Sequence, residues 1–136
     1  MARTRLRGRT DRLSHVVGSA YGRIVRTVAM QGPGGGWRVL VPRTRRERMR
    51  GLRGHPPPGP REAMLLSRCR VIHTFGMAVP IAVVFLDGSL EVVGVQVARP
   101  RRLIRARRGA RHVLECDARS ELRIGDRFRA ARPAGR

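Results

Sequence analysis

The sequence predicts a small α+β domain in which short strands outnumber one or two short helices. Its first third contains two helix signals, an apolar stripe with helical spacing and a capping box. From residue 64 onward, short β-branched runs alternate with turn residues. The chain has 136 residues, of which 41% are hydrophobic. That length supports one core and excludes a TIM barrel or a two-domain enzyme.

The chain is strongly basic. Its net charge is +21, from 30 basic and 9 acidic residues, and every basic residue is an arginine. A charge of this size attracts phosphate groups, but a genome rich in G and C also produces an arginine- and glycine-rich composition. Aromatic residues make up only 4% of the chain, so stacking platforms for single-stranded nucleic acid are scarce. The charge therefore allows nucleic-acid binding without establishing it.

Residues 1–31 are predicted to form a basic arm with an amphipathic helix over residues 12–29. The apolar residues there recur at helical spacing: Leu13, Val16, Val17, Ala20, Tyr21, Ile24, Val25 and Val28. Gly18 and Gly22 each weaken a helix by about 1 kcal/mol relative to alanine, so the helix needs a surface to pack on. Three alternatives stay open. The helix packs on its own domain, it lies on a membrane or partner surface, or it is absent from a mature protein that starts at Met30.

A flexible glycine-rich linker is predicted at residues 32–36, followed by a strand at residues 37–41. Thr44 and Glu47 match a capping box, in which two side chains satisfy free backbone N–H groups at the start of a helix. We expect a short helix to about Arg50, ended by one of the two glycines that follow.

The rest of the chain is predicted to form short strands. The candidates are residues 64–66, 70–74, 81–86, 90–97, 112–115 and 127–130. Asp87 and Gly88 form a turn signal that joins the third and fourth of these into a hairpin. Residues 37–130 are therefore expected to form a single domain, and residues 131–136 a tail.

Three segments have a specific order and spacing. They are Thr44-x-x-Glu47-Arg48-x-x-Gly51-Leu52, then His73-Thr74-Phe75-Gly76-Met77-x-x-Pro80-Ile81-x-Val83-Val84-Phe85-Leu86-Asp87, then Gly109-Ala110-Arg111-x-Val113-Leu114-Glu115 followed by Ile124-Gly125-Asp126-Arg127. Over about residues 37–130 the chain resembles the bacterial and archaeal domain-of-unknown-function family 192, also called uncharacterised protein family 0127. The resemblance implies a curled, mostly antiparallel sheet or partly open barrel with one or two short helices. It implies no established activity.

The chain departs from the family pattern at two places. Ala82 stands where the family motif has an aspartate, and the stretch between Glu115 and Gly125 is shorter than usual. If that aspartate has a chemical role in the family, this chain lacks it.

Metal-binding and catalytic motifs are weak. Cys69 and His73, and likewise His112 and Cys116, are spaced as two mirror-image pairs of zinc-type ligands. On a strand the members of each pair lie about 13 Å apart, too far to share one ion, so no metal site and no cofactor are expected. The serines lie in no nucleophile motif, and no Walker-type loop is recognisable. Enzyme activity stays open, but a non-enzymatic role is favoured.

A segment of thirteen residues is the strongest local charge feature. Its seven arginines are Arg99, Arg101, Arg102, Arg105, Arg107, Arg108 and Arg111. We expect them to lie on an exposed loop, where guanidinium groups can bind phosphate bidentately. A contact with phosphate or anionic lipid and a simply solvated face are both open interpretations.

The sequence favours a small non-enzymatic binding or accessory domain. One alternative is sequence-nonspecific nucleic-acid binding through residues 101–111. Another is a small-molecule-binding or enzymatic domain with a cleft near His73, Phe75, Met77 and Asp87. Candidate partners are nucleic acid or another anionic surface, while partner identity and oligomeric state are not fixed. No apolar run reaches the roughly 20 residues that span a bilayer, and no export segment is convincing, so a cytoplasmic location is expected.

Overall fold

The computed structural model describes residues 15–18 and 24–131. Within them the strands are β1 (His15–Gly18), β2 (Ile24–Gly32), β3 (Gly35–Val41), β4 (Glu62–Ser67), β5 (Val71–His73), β6 (Ile81–Leu86), β7 (Val92–Ala98), β8 (Leu103–Arg105), β9 (His112–Asp117) and β10 (Arg129–Ala130), and the helix is α1 (Arg45–Arg50). The predicted α+β class is therefore wrong, because the domain is mostly β and α1 has only 6 residues. No helix in the described part is long and apolar enough to cross a membrane.

The main sheet has the strand order β1-β2-β3-β4-β9-β6-β7, and β10 also pairs with β2. The β3–β4 pair is parallel, and the other pairs are antiparallel. Residues 125–130 hydrogen-bond to β7 and its preceding turn at one end of this order and to β2 near the other end. Gly125 N–H donates to the Val92 carbonyl and Phe128 N–H to the Leu90 carbonyl, and β10 then pairs with Met30 and Gln31. The sheet thereby curls into a half-barrel.

The helix predicted over residues 12–29 is wrong wherever the structure describes that segment. Residues 15–18 and 24–29 belong to the antiparallel strands β1 and β2. The segment is rich in β-branched residues, which favour strands. Pairing with β3 adds tertiary contacts that an isolated helix lacks. The remaining residues of the predicted helix lie outside the described ranges, as do residues 1–11 and 132–136.

The predicted flexible linker at residues 32–36 is also wrong. These residues form the tight turn of the β2–β3 hairpin, in which Gly32 pairs with Gly35. Gly35 has a φ of 125°, a conformation that favours glycine. Since β2 is an inner strand of the sheet and Val25 and Met30 are buried, the sheet begins before residue 37.

The main sheet carries a separate core on each face, because side chains alternate along a strand. We call the core inside the curl the inner core; its buried members are Met30, Trp37, Val39, Ala63, Leu65, Ala82, Val84, Leu86, Val92, Leu114, Cys116, Leu122 and Phe128. We call the other the outer core; its buried members are Leu52, Met64, Leu66, Ile72, Ile81, Val83, Phe85, Ala98, Ile104, Ala110 and Val113. All six residues of β6 are buried, which explains its uninterrupted apolar sequence.

Short elements cover the outer core. Leu52 reaches it from the turn after α1, while Ile72 and Ile104 reach it from the small β5–β8 sheet. These covering elements meet around an open cavity.

Candidate functional site

The cavity has a volume of about 330 Å³ and lies between α1 and the segment that runs from β5 to β6. This volume falls within the range of small-molecule sites. Its lining consists of Arg45, Arg48, Met49, Arg50, Gly51, Leu52, Arg53, Leu66, Cys69, Val71, Ile72, His73, Phe75, Met77, Ile81 and Glu115. Each of the three family-like segments contributes to this lining, although they lie far apart in the chain.

A buried carboxyl group forms part of the cavity wall. Glu115 lies on the central strand β9 and is only 4% exposed. Burial raises the pKa of Glu115 to about 7, while a hydrogen bond from the Leu52 backbone acts in the opposite direction. Four arginines line the same cavity, yet no ion pair to Glu115 is found within residues 24–131. Near neutral pH the group is therefore a mixture of acid and carboxylate, able to donate or accept a hydrogen bond.

The end of α1 allows the chain to approach this carboxyl group closely. The predicted capping box is confirmed: Glu47 N–H donates to Thr44 Oγ1, and Thr44 N–H donates to Glu47 Oε2, each over 3.1 Å. The helix ends at Gly51, whose φ of 54° and ψ of −137° favour glycine. A Cβ atom built on Gly51 would lie 3.2 Å from Glu115 Oε2. Glycine therefore suits this position for both its conformation and its small size.

The opposite wall is held by a buried threonine. Thr74 Oγ1 donates to the Arg99 carbonyl over 2.6 Å and accepts from Arg102 N–H over 2.8 Å. These bonds fix the end of β5, so that the rings of His73 and Phe75 lie 5.8 Å apart at the cavity. His73 Nδ1 is buried and has no hydrogen-bond partner among the described residues.

The structure brings three of the four predicted cleft residues together. His73, Phe75 and Met77 line the cavity, whereas Asp87 does not. Asp87 Oδ1 instead accepts hydrogen bonds from Ser89 N–H, Ser89 Oγ and Glu91 N–H, over 2.8–3.0 Å. Asp87 therefore shapes the β6–β7 turn.

Sequence reasoning missed Glu115 as a site residue, together with the contribution of α1 and Gly51. The available signal was a charged residue inside the apolar run Val113-Leu114-Glu115-Cys116. Buried carboxylates are rare unless they are paired. Glu115 also ends the first part, residues 109–115, of the third family-like segment.

The two cysteines pack against different cores. Cys116 belongs to the inner core and Cys69 packs against the outer core, so they lie on different faces of the main sheet. Burial raises the pKa of both thiols, that of Cys116 to about 11. Within residues 15–18 and 24–131 there is no group of three His, Cys, Asp or Glu side chains able to hold a metal ion. Ala82, the departure from the family motif, lies in the inner core and does not line the cavity.

The arginine segment of residues 99–111 is not a simple loop, because β8 runs through it and pairs with β5. All seven arginine side chains are exposed. None of them forms an ion pair within the described ranges. The segment borders the layer that holds the cavity and leaves its charge available to solvent or to a partner.

Comparison with known proteins gives a family and a fold. The model of the family DUF192, described as "Uncharacterized ACR", matches residues 27–129. No curated protein matches the chain. A solved protein of unknown function from Novosphingobium aromaticivorans DSM 12444 superposes with a TM-score of 0.66 at 20% identity, covering 88% of this chain and 94% of that one. The structure of a proposed transcription regulator from Sinorhizobium meliloti 1021 superposes with a TM-score of 0.64 at 20% identity, covering 76% of this chain and 92% of that one.

At this level of identity the two structures show a shared fold and nothing more. The family match spans most of the half-barrel, from β2 to β10. On that basis the chain belongs to the DUF192 family.

Proposed function

We propose that this domain binds a small molecule in the cavity between α1 and the β5–β6 segment. The observation that carries the proposal is Glu115, a carboxyl group on a central strand that is 4% exposed and receives one backbone hydrogen bond. A buried carboxyl group destabilises a fold unless it is well paired, and an apolar residue of similar size would be more stable there. Binding sites are where such a cost is commonly found.

The surrounding geometry supports the same proposal. The three family-like segments converge on this cavity, and hydrogen bonds at Thr44 and Thr74 fix its two walls. The wall also combines apolar side chains with a few polar groups, as small-molecule sites do. The proposal locates the predicted binding role of the domain at this one cavity. It assigns no reaction to the cavity.

The proposal is tested by amide NMR spectra of the ¹⁵N-labelled full chain, titrated with a library of metabolites and small fragments. We expect at least one compound to shift the amide signals of Gly51, Leu52, Phe75 and Glu115 together. In a Val71→Trp variant the large ring should obstruct the cavity wall and abolish these shifts.

The matched control is Leu103→Trp. Val71 and Leu103 are 52% and 61% exposed on the paired strands β5 and β8, but only Val71 lines the cavity. Shifts lost equally in both variants, or no clustered shifts in the parent protein, would contradict the proposal.

A second candidate function, phosphate-backbone binding by residues 99–111, is favoured by the exposure of all seven arginines without ion pairs among the described residues. Its test is the slope of log K against log salt for random duplex DNA and for RNA. The double variant Arg105→Ala/Arg108→Ala should reduce that slope by about 2. The double variant Arg123→Ala/Arg129→Ala, which removes the same charge elsewhere, should leave it unchanged. Equal reductions would assign binding to net charge alone.

A further inference from the structure

We infer that the ligand of this cavity is an organic anion, a carboxylate or phosphate group attached to an apolar body. The inference rests on the proposed function and adds the chemical class of the ligand. Three features of the cavity support it: the charge of its walls, the exposed apolar side chains at its edge, and the carboxyl group inside it.

The cavity walls carry an excess of positive charge. Arg45, Arg48, Arg50 and Arg53 line it, against a single carboxyl group. Together they give the lining a formal charge of +3 even when Glu115 is ionised. A site with this balance favours an anion and disfavours an ammonium group.

The protein itself does not neutralise these arginines. No ion pair within residues 24–131 involves any of the four. The hydrogen bonds of their side chains go to uncharged acceptors: Arg48 donates to the Ser67 carbonyl, and Arg50 Nε donates to the Arg53 carbonyl over 3.1 Å. Carbonyl partners orient a guanidinium group without removing its charge, so the positive potential remains available to a ligand.

The apolar part of the ligand is indicated by side chains that the fold leaves partly uncovered. Met49, Val71 and Phe75 are 66%, 52% and 50% exposed, and all three line the cavity. Covering apolar area of this kind stabilises a complex, because it removes that area from water. A bare inorganic anion would leave this surface in water.

Glu115 makes the binding of an anion dependent on pH. An anion disfavours a neighbouring carboxylate and favours the neutral acid, which can donate a hydrogen bond to it. The groups around Glu115 are Cys69 and His73 on the facing segment, Arg45, Arg48, Arg50 and Arg53 on α1 and its turn, and Cys116 and Asp117 on β9 itself. A substitution of Glu115 alone separates its contribution from those of the other groups.

The test measures the affinity of the full chain for three probes of equal length: octanoate, octanol and octylamine. Isothermal titration calorimetry at fixed salt is suitable. We expect octanoate to bind more than tenfold tighter than octylamine, with octanol between them. Octyl phosphate in place of octanoate distinguishes a phosphate head from a carboxylate head. Tighter binding of octylamine would overturn the inference on ligand class and leave the cavity proposal standing.

A matched pair of arginines controls for the overall charge of the protein. Arg45 and Arg46 are adjacent and both exposed, but only Arg45 lines the cavity. Arg45→Gln should weaken octanoate about threefold, in keeping with an exposed charge interaction, while Arg46→Gln should change it less than twofold. Equal losses would show attraction by net charge only and would overturn the inference.

The pH arm uses octanoate at pH 6 and pH 8, where the probe itself stays ionised. If the neutral acid of Glu115 is required, affinity should fall about tenfold between these values. In Glu115→Gln most of this fall should disappear. An unchanged fall in Glu115→Gln contradicts the role of that carboxyl group.

No binding of octanoate or octyl phosphate contradicts the ligand class, whereas the fragment titration decides separately whether the cavity binds small molecules.

Discussion

The two faces of the main sheet are closed in different ways. The inner core is enclosed by the curl of the sheet itself, with residues 125–130 bonded to β7 and its preceding turn on one side and to β2 on the other. Phe128 fills it, its ring meeting Trp37 edge-on at 5.2 Å. The outer core is covered by the turn after α1, which contributes Leu52, and by the small β5–β8 sheet, which contributes Ile72 and Ile104. That looser cover leaves a cavity with a buried carboxyl group.

The difference places a closed core on one face of the sheet and the candidate site on the other. The inner core is a packed cluster of apolar side chains that includes Trp37 and Phe128, and interiors of this kind are close-packed. The outer face places Glu115 and four arginines around open space. Strands β9 and β6 serve both faces, so a single central strand carries core residues and a site residue at alternate positions.

The largest expected effect comes from truncating the ring that fills the inner core. Phe128 is 1% exposed, whereas Phe75 at the cavity is 50% exposed. Phe128→Ala should lower the free energy of unfolding by about 3–5 kcal/mol. Phe75→Ala should cost less than about 1 kcal/mol. Denaturant unfolding measures both. A similar loss in the two variants would break the comparison between the faces.

The next effect concerns the dependence of stability on pH. The pKa of Glu115 rises from its ordinary value of 4.5 to about 7 in the folded protein, so folding favours the neutral acid. The stability this contributes is complete below about pH 4.5 and is lost as the pH rises toward 7. The total is on the order of 3 kcal/mol.

The measurement is the difference in unfolding free energy between the parent protein and Glu115→Gln from pH 4.5 to 7.5. That difference should change with pH in favour of the variant. It also cancels the opposite contributions of His55 and His112, whose pKa values are lowered mainly by burial. Glu121→Gln, at an exposed position, is the control and should show no such change. A flat difference for Glu115→Gln would contradict the burial of this carboxyl group.

Several parts of the fold follow from local sequence. The capping box at Thr44 and the turn at Asp87 depend on neighbouring residues alone, and both are present. The N-terminal strands cannot be predicted from local sequence. Their apolar residues have helical spacing, but the same residues form strand β2 when it pairs with β3 and β10. Tertiary pairing decided between the two structures, as it often does for β-branched segments.

The candidate site could be predicted only in part for the same reason. His73, Phe75 and Met77 belong to one continuous segment, so their grouping near a cleft follows from the sequence. Glu115 joins them through pairing of β9 with β6 and β4, contacts of long sequence separation. The sequence near Glu115 contains no local pattern that predicts its approach to Gly51 at the end of α1.

A smaller effect is expected for the threonine that anchors the cover of the outer face. Thr74 is fully buried, and its Oγ1 bonds to two backbone groups of the β7–β8 connection. Thr74→Val keeps the shape but leaves the Arg102 N–H without this acceptor, at a cost of about 1–3 kcal/mol. Amide hydrogen exchange of the variant is compared with that of the parent protein. Exchange should accelerate more in β5 and β8 than in β6 and β9. Uniform acceleration across the sheet would show that the cover and the half-barrel are one cooperative unit.

The smallest effect separates Asp87 from the cavity. Its carboxylate accepts three hydrogen bonds in an exposed turn, where water replaces lost partners. Asp87→Ala should therefore cost about 1 kcal/mol. It should leave the amide signals of Gly51 and Leu52 in place, and changed signals there would return Asp87 to the candidate site.

The most direct test of the contrast between the two faces is the titration of Glu115 itself. The side-chain carbonyl carbon of Glu115 can be followed by ¹³C NMR from pH 3 to 9, with Glu115→Gln to assign the signal. A midpoint near 7 would show that the outer face holds a desolvated carboxyl group beside an open cavity. A midpoint near 4.5 would show a solvated carboxylate and contradict the account of this face as a built binding site.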